Sequence, residues 1–463
     1  MPQVCIYLQL HQPWRLGNFS IYDLGQGASY FEDETQHNKQ IFQKVAQKSY
    51  LPMLTLLKKL IETEPHFCFA LSLSGVFVEQ AQAFEPRVIS LIQDLAKSGR
   101  VELLAETYYH SLAALYSKSE FEVQVWRQVQ LMQKLFGYKP QVFRNTELIY
   151  SNDIAQKVAD LGFKGMLTEA VGRYLWDRPK TQVYYSYPTK NLEESAAVSQ
   201  SILQETEVVH SKKTSKRIPT NLLTETVIPL PASTASAKQT AVYTPLPLLL
   251  KHAQLSDDVA FRFSDRHWDW YPLTVDRYLE WVEVYGENEI INLFMDFETF
   301  GEHQWADTGI FEFWAEFVHR FTQKPWNTFV TPTQVFEKAE RERKYADKWS
   351  KKPAPIPKHL LYDVPEPISW ADIDRDLTAW RGNQLQWDTL EKIYEVQDQM
   401  YKRNDATVLD NWRRLQTSDH FYYMCTKWAA DGDVHAYFSP YKSPYEAYRR
   451  YSVVLADLMG KLL

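Results

Sequence analysis

Short apolar runs alternate with longer amphipathic segments from residue 4 to residue 296 of this 463-residue chain. Runs of strand length predict seven β-strands, over 4–10, 66–74, 101–105, 141–148, 165–168, 259–264 and 290–295. Apolar residues at three- and four-residue steps predict helices between them, over 38–63, 86–98, 121–136, 154–161 and 276–284. Alternating strands and helices form parallel sheets with right-handed crossovers, so we expect an α/β fold with a closed or nearly closed barrel.

The pattern changes at three places and predicts the domain organisation. We assign 1–308 to the barrel, and within it we interpret 190–238, rich in Ser, Thr, Ala and Gln, as a low-complexity insertion. The segment 309–368 predicts helices followed by a Pro-rich linker. The remaining segment, 369–463, predicts a C-terminal helical domain.

Composition and charge restrict the classes of partner. A formal net charge of −7 argues against nucleic acid. The content of 15 Trp, 28 Tyr and 24 Phe suits sugar binding, because pyranose faces stack on aromatic rings. The three cysteines are far apart and indicate neither a disulfide framework nor a zinc site. With no signal-like N-terminus and no apolar run of about 18 residues, we expect a cytoplasmic protein that does not span the membrane.

The candidate chemistry is concentrated in acidic residues that follow predicted strands. The strand over 290–295 leads into Asp296 and Glu298, and the strand over 141–148 carries Glu147. Carboxylates rarely end buried strands unless they are paired or needed. A pair of carboxyl groups on two strand ends is what acetal hydrolysis needs, since one attacks or stabilises the anomeric centre while the other protonates the leaving oxygen.

Two arginines stand on predicted barrel strands, where charge is unusual. We expect Arg144 and Arg262 to pair with these acids and to hold Glu147 ionised. If Asp296 and Glu298 both lie on the strand they share one face, and their proximity raises one pKa. A buried ion network with a purely structural role is the alternative interpretation.

Several motifs together resemble glycoside hydrolase family 57, and specifically its α-amylase branch. The motifs are His11-Gln12-Pro13, 102–110, Phe143-Arg144-Asn145-Thr146-Glu147, 296–303, Trp370-Ala371-Asp372, Arg375-Asp376-Leu377 with Trp380 and Asn383, and 417–424. The resemblance covers nearly the whole chain except the insertion. It implies an incomplete (β/α)7 barrel whose C-terminal helical domain completes the cleft. It also implies a retaining mechanism on α-glucans without a cofactor or metal ion.

The resemblance also implies roles for individual residues. Glu147 matches the nucleophile and Asp296 the general acid/base, and we expect their carboxyl groups to lie about 5–6 Å apart. The positions that bind the glucosyl unit at the scissile bond match His11, His110, Arg262, Trp370 and Asp419. Trp14, together with Glu298 and His303 of the motif over 296–303, completes the set of substrate-binding candidates.

Three alternatives stay open at this point. A metal-dependent sugar enzyme on a similar barrel needs a carboxylate near the first-strand His and further ligands, which the sequence does not offer. A 4-α-glucanotransferase or branching enzyme uses the same two-step chemistry, and acceptor affinity decides between it and a hydrolase. A non-catalytic amylase-like protein would bind the glucan without turnover. The sequence leaves the oligomeric state open.

Overall fold

The computed structural model describes residues 2–31, 38–188, 245–286, 289–345, 354–427 and 439–462. The insertion predicted over 190–238 lies outside these residues. The longer helices of the first part of the chain are Asn38–Val45, Leu51–Thr63, Gly75–Phe84, Pro86–Lys97, Lys118–Phe136, Asn152–Asp160, Ala253–Ala260, Val275–Glu283, Ile310–Thr322 and Pro332–Tyr345. The helices that match predicted positions do so because their apolar faces are regular, whereas Gly75–Phe84 and Ala253–Ala260 were not predicted as helices. Helix Pro86–Lys97, for example, buries Val88, Ile89, Ile92 and Leu95.

The strands form a nearly closed parallel barrel. They are β1 (Gln3–Leu10), β2 (Phe69–Leu73), β3 (Val101–Leu104), β4 (Val142–Arg144), β5 (Gly165–Thr168), β6 (Tyr184–Ser186), β7 (Pro247–Leu250), β8 (Ile290–Asp296), β9 (Thr328–Phe329) and β10 (Leu361–Tyr362). Two sheets run in the orders β3-β2-β1-β8 and β10-β6-β7-β5-β4. A parallel bridge between Ala105 and Phe143 joins β3 to β4.

The barrel closes between β7 and β8 without a regular ladder. The Asn292 amide donates to the Leu250 carbonyl at 2.8 Å, and the His252 backbone N–H donates to the Asn292 carbonyl at 2.8 Å. The ring is therefore β1-β2-β3-β4-β5-β7-β8, with β6, β9 and β10 as short additions. This arrangement confirms the expected incomplete (β/α)7 barrel.

The prediction of a strand over 259–264 is wrong. The helix Ala253–Ala260 occupies this part of the chain, and the His252 side chain caps it by accepting from the Leu255 N–H at 3.3 Å. Leu255 and Val259 are buried one helical turn apart, whereas Phe261 is 54% exposed. The alternation of Val259 and Phe261 therefore imitates a strand, and the barrel strand is the short run β7.

Short helical segments and six C-terminal helices complete the described structure. The C-terminal helices are Thr378–Arg381, Gln384–Glu395, Gln397–Arg403, Ala406–Arg414, Ser418–Tyr422 and Pro444–Gly460, and the short segments are Ile21–Asp23, Ala113–Tyr116, Thr146–Leu148, Gly172–Leu175, Phe297–Thr299, Ala306–Thr308 and Lys358–Leu360. The C-terminal part meets the barrel through bridges from Ser111 to Thr417 and from Tyr150 to Ile368. None of the described helices is both long and apolar enough to cross a lipid bilayer.

Candidate active site

The carboxyl ends of the barrel strands carry the predicted acids, each on a turn that follows its strand. Strand β4 ends at Arg144, and Glu147 lies in the tight turn Thr146–Leu148 with φ +55°. The predicted strand over 141–148 is therefore shorter than expected. A left-handed conformation is strained for a residue with a side chain, and such residues cluster at functional sites.

The Glu147 carboxylate accepts three hydrogen bonds from different parts of the chain. His110 Nε2 lies 3.3 Å from Oε1, and the Ser418 hydroxyl donates to the same oxygen at 3.3 Å. The Trp370 indole N–H donates to Oε2 at 2.7 Å. Two of these three donors come from the C-terminal part of the chain, so the environment of Glu147 is complete only when that part contacts the barrel.

These contacts keep Glu147 ionised. Loss of contact with water would raise its pKa, but the hydrogen bond from His110 and the positive charges of His110 and Arg144 outweigh burial and lower it. Burial likewise opposes protonation of His110, yet its hydrogen bonds to Glu106 and Glu147 raise its pKa to about 9. His110 is therefore an imidazolium near neutral pH and donates from both ring nitrogens.

Asp296 differs from Glu147, because its pKa is raised instead of lowered. It is the last residue of β8 and lies level with Gln9 of the neighbouring strand β1. Burial and the negative charge of Glu147 raise its pKa to about 6, against the positive charges of Arg144 and Lys251. Asp296 can therefore hold a proton in a pH range where Glu147 has none.

Glu298 lies close to Asp296 but not on the strand. It belongs to the turn Phe297–Thr299, and its Oε1 accepts a hydrogen bond from the Tyr50 hydroxyl. Burial and the charge of Asp296 raise the Glu298 pKa to about 8, whereas the charge that raises the Asp296 pKa is that of Glu147. The expected effect of the two neighbouring carboxyl groups on each other therefore appears in Glu298. Glu298 is therefore mostly protonated at neutral pH.

A π-helical turn, Ala46–Tyr50, places Tyr50 against this acidic turn. It joins helices Asn38–Val45 and Leu51–Thr63, so the predicted helix over 38–63 is one helical segment. Gly301 follows with φ +106°, and a Cβ there would lie 2.0 Å from the Lys48 carbonyl oxygen. Only glycine allows the two segments to approach this closely.

His11 and Asp419 form a second imidazole–carboxylate pair beside the first. His11 Nε2 lies 3.0 Å from Asp419 Oδ2, and Nδ1 lies 2.7 Å from the Ser74 hydroxyl. The His11 ring stacks on the His110 ring with centroids 4.0 Å apart. Burial and the neighbouring charge of His110 lower the His11 pKa, so His11 is neutral and donates from Nε2 to Asp419.

Arg144 is near the acids but does not form the expected ion pair with them. Its side chain is fully buried, and none of its three guanidinium nitrogens has a hydrogen-bond partner within the described ranges. The guanidinium lies 5.1 Å from the Trp370 ring and 5.9 Å from the Tyr7 ring. Its charge still contributes to lowering the pKa values of Glu147 and Asp296.

The expected pairing of Arg262 with the acids is wrong, because Arg262 does not stand on a strand. It follows the helix Ala253–Ala260, and its Nε donates to Asp258 Oδ1 at 2.6 Å. Its guanidinium also lies 5.8 Å from the Trp268 ring. The ion-pair partner of Arg262 among the described residues is therefore Asp258 and not one of the site acids.

The structure brings together most, but not all, of the predicted site residues. His110 and Trp370 contact Glu147 directly. Behind them, the His11 ring stacks on His110 and pairs with Asp419. Trp14 is instead packed beside Phe84, and its indole N–H donates to Glu79 at 3.2 Å. His303 stacks on Phe261, and its backbone N–H donates to the Glu298 carbonyl at 2.9 Å.

Several contributing residues were not singled out from the sequence. They are Glu106, Ser418, Tyr50, Lys251 and Glu169. Lys251 follows β7, and its ammonium lies 5.2 Å from the Trp370 ring. The rule that polar residues at barrel strand ends are functional could have indicated Glu169 and Lys251, and Glu106 also lies in the motif over 102–110. The part of the chain that the structure describes has no group of three or more His, Cys, Asp or Glu residues arranged to hold a metal ion.

The fold and the paired carboxyl groups define a class, the glycoside hydrolases built on α/β barrels. A family model described as "Glycosyl hydrolase family 57" matches residues 5–347. The chain therefore belongs to glycosyl hydrolase family 57, and the resemblance read from the motifs is confirmed.

Similar proteins agree with this assignment. A protein of Methanocaldococcus jannaschii named "Putative alpha-amylase" is 34% identical over 97% of this chain and 82% of its own length. The solved 4-alpha-glucanotransferase of Thermococcus litoralis aligns with a TM-score of 0.57 and 13% identity, over 98% of this chain but 60% of that one. A branching enzyme of the same family from Thermococcus kodakaraensis aligns with a TM-score of 0.57 and 14% identity, over 98% and 89%. At these identities the two structures support the fold alone.

Proposed function

We propose that this enzyme cleaves α-1,4-glucan or maltooligosaccharides with retention, using Glu147 as nucleophile and Asp296 as general acid/base. The proposal rests on the pKa values of the two groups, because the surroundings lower that of Glu147 and raise that of Asp296. Glu147 accepts hydrogen bonds from His110, Trp370 and Ser418, whereas burial and the charge of Glu147 hold a proton on Asp296 up to about pH 6. A retaining glycosidase needs these two states at the start of its reaction.

In the first step the Glu147 carboxylate attacks the anomeric carbon and forms a glycosyl ester. The bond to the leaving oxygen breaks, and Asp296 gives that oxygen its proton. The reacting carbon carries partial positive charge in the transition state, so an ionised Glu147 stabilises it before the new bond is complete. The resulting ester has no charge.

In the second step the same groups act in reverse. The Glu147 charge is one of the two main causes of the raised Asp296 pKa, so formation of the ester lowers the affinity of Asp296 for a proton. Asp296 then removes a proton from water, which attacks the anomeric carbon and restores the Glu147 carboxylate. The coupling between the two residues thus makes Asp296 an acid first and a base afterwards.

We further propose that His11, Trp370 and Asp419 bind the sugar at the scissile bond, because they surround Glu147 and present polar groups there. Glu298 is a candidate for the same role beside Asp296. The contacts of Trp14, Arg262 and His303 give no support for extending the binding site to them.

Product analysis on maltoheptaose tests the proposal, with wild type beside Glu147→Gln and with EDTA present. We expect α-configured short products from wild type and a loss on the order of 10⁴-fold or more in the variant. Glu102→Gln is the matched control, since Glu102 is a buried carboxylate that binds Thr333 instead of site residues. Products of β configuration, or an active Glu147→Gln variant, would contradict the proposal.

The same experiment separates hydrolysis from transfer. A sugar hydroxyl can intercept the glycosyl ester in place of water, and products longer than maltoheptaose would show it. The 34% identity to a protein named for amylase activity supports hydrolysis as the main reaction. The cytoplasmic location expected from the sequence remains a prediction.

A further inference from the structure

We propose that Glu106 is a positioning residue for the nucleophile, holding His110 as an imidazolium whose Nε2–H is directed at Glu147. This inference rests on the proposed role of Glu147. Glu106 follows β3, and its side chain is fully buried. Its Oε2 lies 2.9 Å from His110 Nδ1, on the side of the ring opposite Glu147.

The geometry of Glu106 is fixed from the barrel side. The Gln9 side-chain amide donates to Glu106 Oε1 at 3.0 Å. The Gln9 oxygen in turn accepts from the Tyr7 hydroxyl at 2.6 Å and from the Ser72 hydroxyl at 2.7 Å. Because an ionised carboxylate can only accept, the Gln9 amide nitrogen faces Glu106.

The backbone fixes His110 as firmly as the side chains do. Its φ is +52°, which is strained for a residue with a side chain. Its N–H donates to the Thr107 carbonyl at 3.0 Å, and its carbonyl accepts from the Ser418 N–H at 2.9 Å. A continuous chain of hydrogen bonds therefore runs from Gln9 of β1 through Glu106 and His110 to Glu147.

The charge of His110 depends on the groups that face it from every side. Glu106 and Glu147 favour the imidazolium, Arg144 opposes it, and the neutral His11 ring stacks on it. Beyond His11, Asp419 adds a further negative charge. With a neutral Nδ1–H imidazole, Nε2 would present a lone pair to the Glu147 carboxylate and repel it. Glu106 thus supplies the anion that keeps the donor in place.

The test is a nitrogen NMR titration of His110 in ¹⁵N-histidine-labelled enzyme, without substrate. In wild type we expect His110 to remain protonated until about pH 9. In Glu106→Gln we expect it to lose its proton at least one pH unit lower, because one of its two anionic partners is gone. Glu106→Asp keeps the charge and should keep His110 protonated up to a higher pH than Glu106→Gln does. An unchanged titration in Glu106→Gln would overturn the proposal.

The activity readout uses the pH dependence of kcat/KM on maltoheptaose. His110 is protonated at the pH of the acidic limb in both proteins, so the effect there comes through its hydrogen bond to Glu147, which weakens when Glu106 no longer holds the ring. The weaker hydrogen bond raises the Glu147 pKa, so the acidic limb of Glu106→Gln should move to higher pH, with at least a tenfold fall in kcat/KM at the optimum. Glu102→Gln carries the same substitution on β3 and should keep the wild-type limb. Equal pH profiles of kcat/KM in Glu106→Gln and Glu102→Gln would mean that Glu106 has only a structural role. Because the NMR titration needs no turnover, it tests Glu106 even if Glu147 is not the nucleophile.

Discussion

Glu147 and Asp296 carry the same chemical group, but the hydrogen bonds and charges around the two carboxyl groups are very different. Three donors from His110, Trp370 and Ser418 converge on Glu147. Asp296 is instead buried beside the negative charge of Glu147, and both burial and that charge raise its pKa. Two carboxyl groups of similar intrinsic pKa therefore take opposite protonation states. In this barrel the protonation state of an acid at a strand end therefore depends on hydrogen-bond donors and charges that come from other segments of the chain.

Among variants that keep Glu147, the largest loss of activity should come from Asp296→Asn, which removes the acid without adding charge. We expect kcat to fall by about 10²–10⁴-fold, as for loss of a general acid. Wild-type kcat/KM needs protonated Asp296 and should decline as pH rises through about 6. It should also decline as pH falls through the lowered pKa of Glu147. The residual activity of the variant should lack the decline near pH 6, and persistence of that decline would assign it to another group.

A smaller effect is expected from Trp370→Phe, which keeps an aromatic ring and removes the indole N–H. A hydrogen bond to a charged group contributes about 1.5–3 kcal/mol, so the ionised form of Glu147 should lose stability. We expect the acidic limb of kcat/KM to shift to higher pH, with little change in thermal stability. Trp380→Phe is a suitable control, because Trp380 is a buried tryptophan whose indole N–H has no hydrogen-bond partner among the described residues. An equal shift in both variants would contradict the role given to Trp370.

The smallest effect is expected from Ser418→Ala. Its hydroxyl lies 3.3 Å from Glu147 Oε1, longer than the Trp370 bond of 2.7 Å. We expect a fall of less than about tenfold in kcat/KM, because a hydrogen bond of this length to the carboxylate contributes less than the about 1.5–3 kcal/mol of a well-formed one. The acidic limb should move in the same direction as in Trp370→Phe, but less. A larger shift than that of Trp370→Phe would reverse the ranking of the donors.

Much of the fold could be predicted because its strands are continuous apolar runs and its helices have regular apolar faces. The predictions for β1, β5 and β8 match closely. The prediction over 259–264 was wrong because a two-residue alternation at the end of a helix resembles a strand. The predicted domain boundaries at 308 and 368 remain predictions.

The two carboxyl groups could be predicted from their positions after strands, but their partners could not. Ser418 and Trp370 are distant from Glu147 in sequence, and nothing local marks them as donors to it. The expectation that arginines hold Glu147 ionised was wrong for Arg262, because its segment is helical. For Arg144 the effect is through charge alone, while His110 forms the hydrogen bond.

The measurement that tests the central claim most directly is a ¹³C NMR titration of the Asp296 carboxyl group in wild type and in Glu147→Gln. Asp296→Asn assigns the signal. We predict a pKa of about 6 in wild type and a lower value in Glu147→Gln, since the charge that raises it is gone. A wild-type pKa in the ordinary aspartate range, or one that does not respond to Glu147→Gln, would contradict the account.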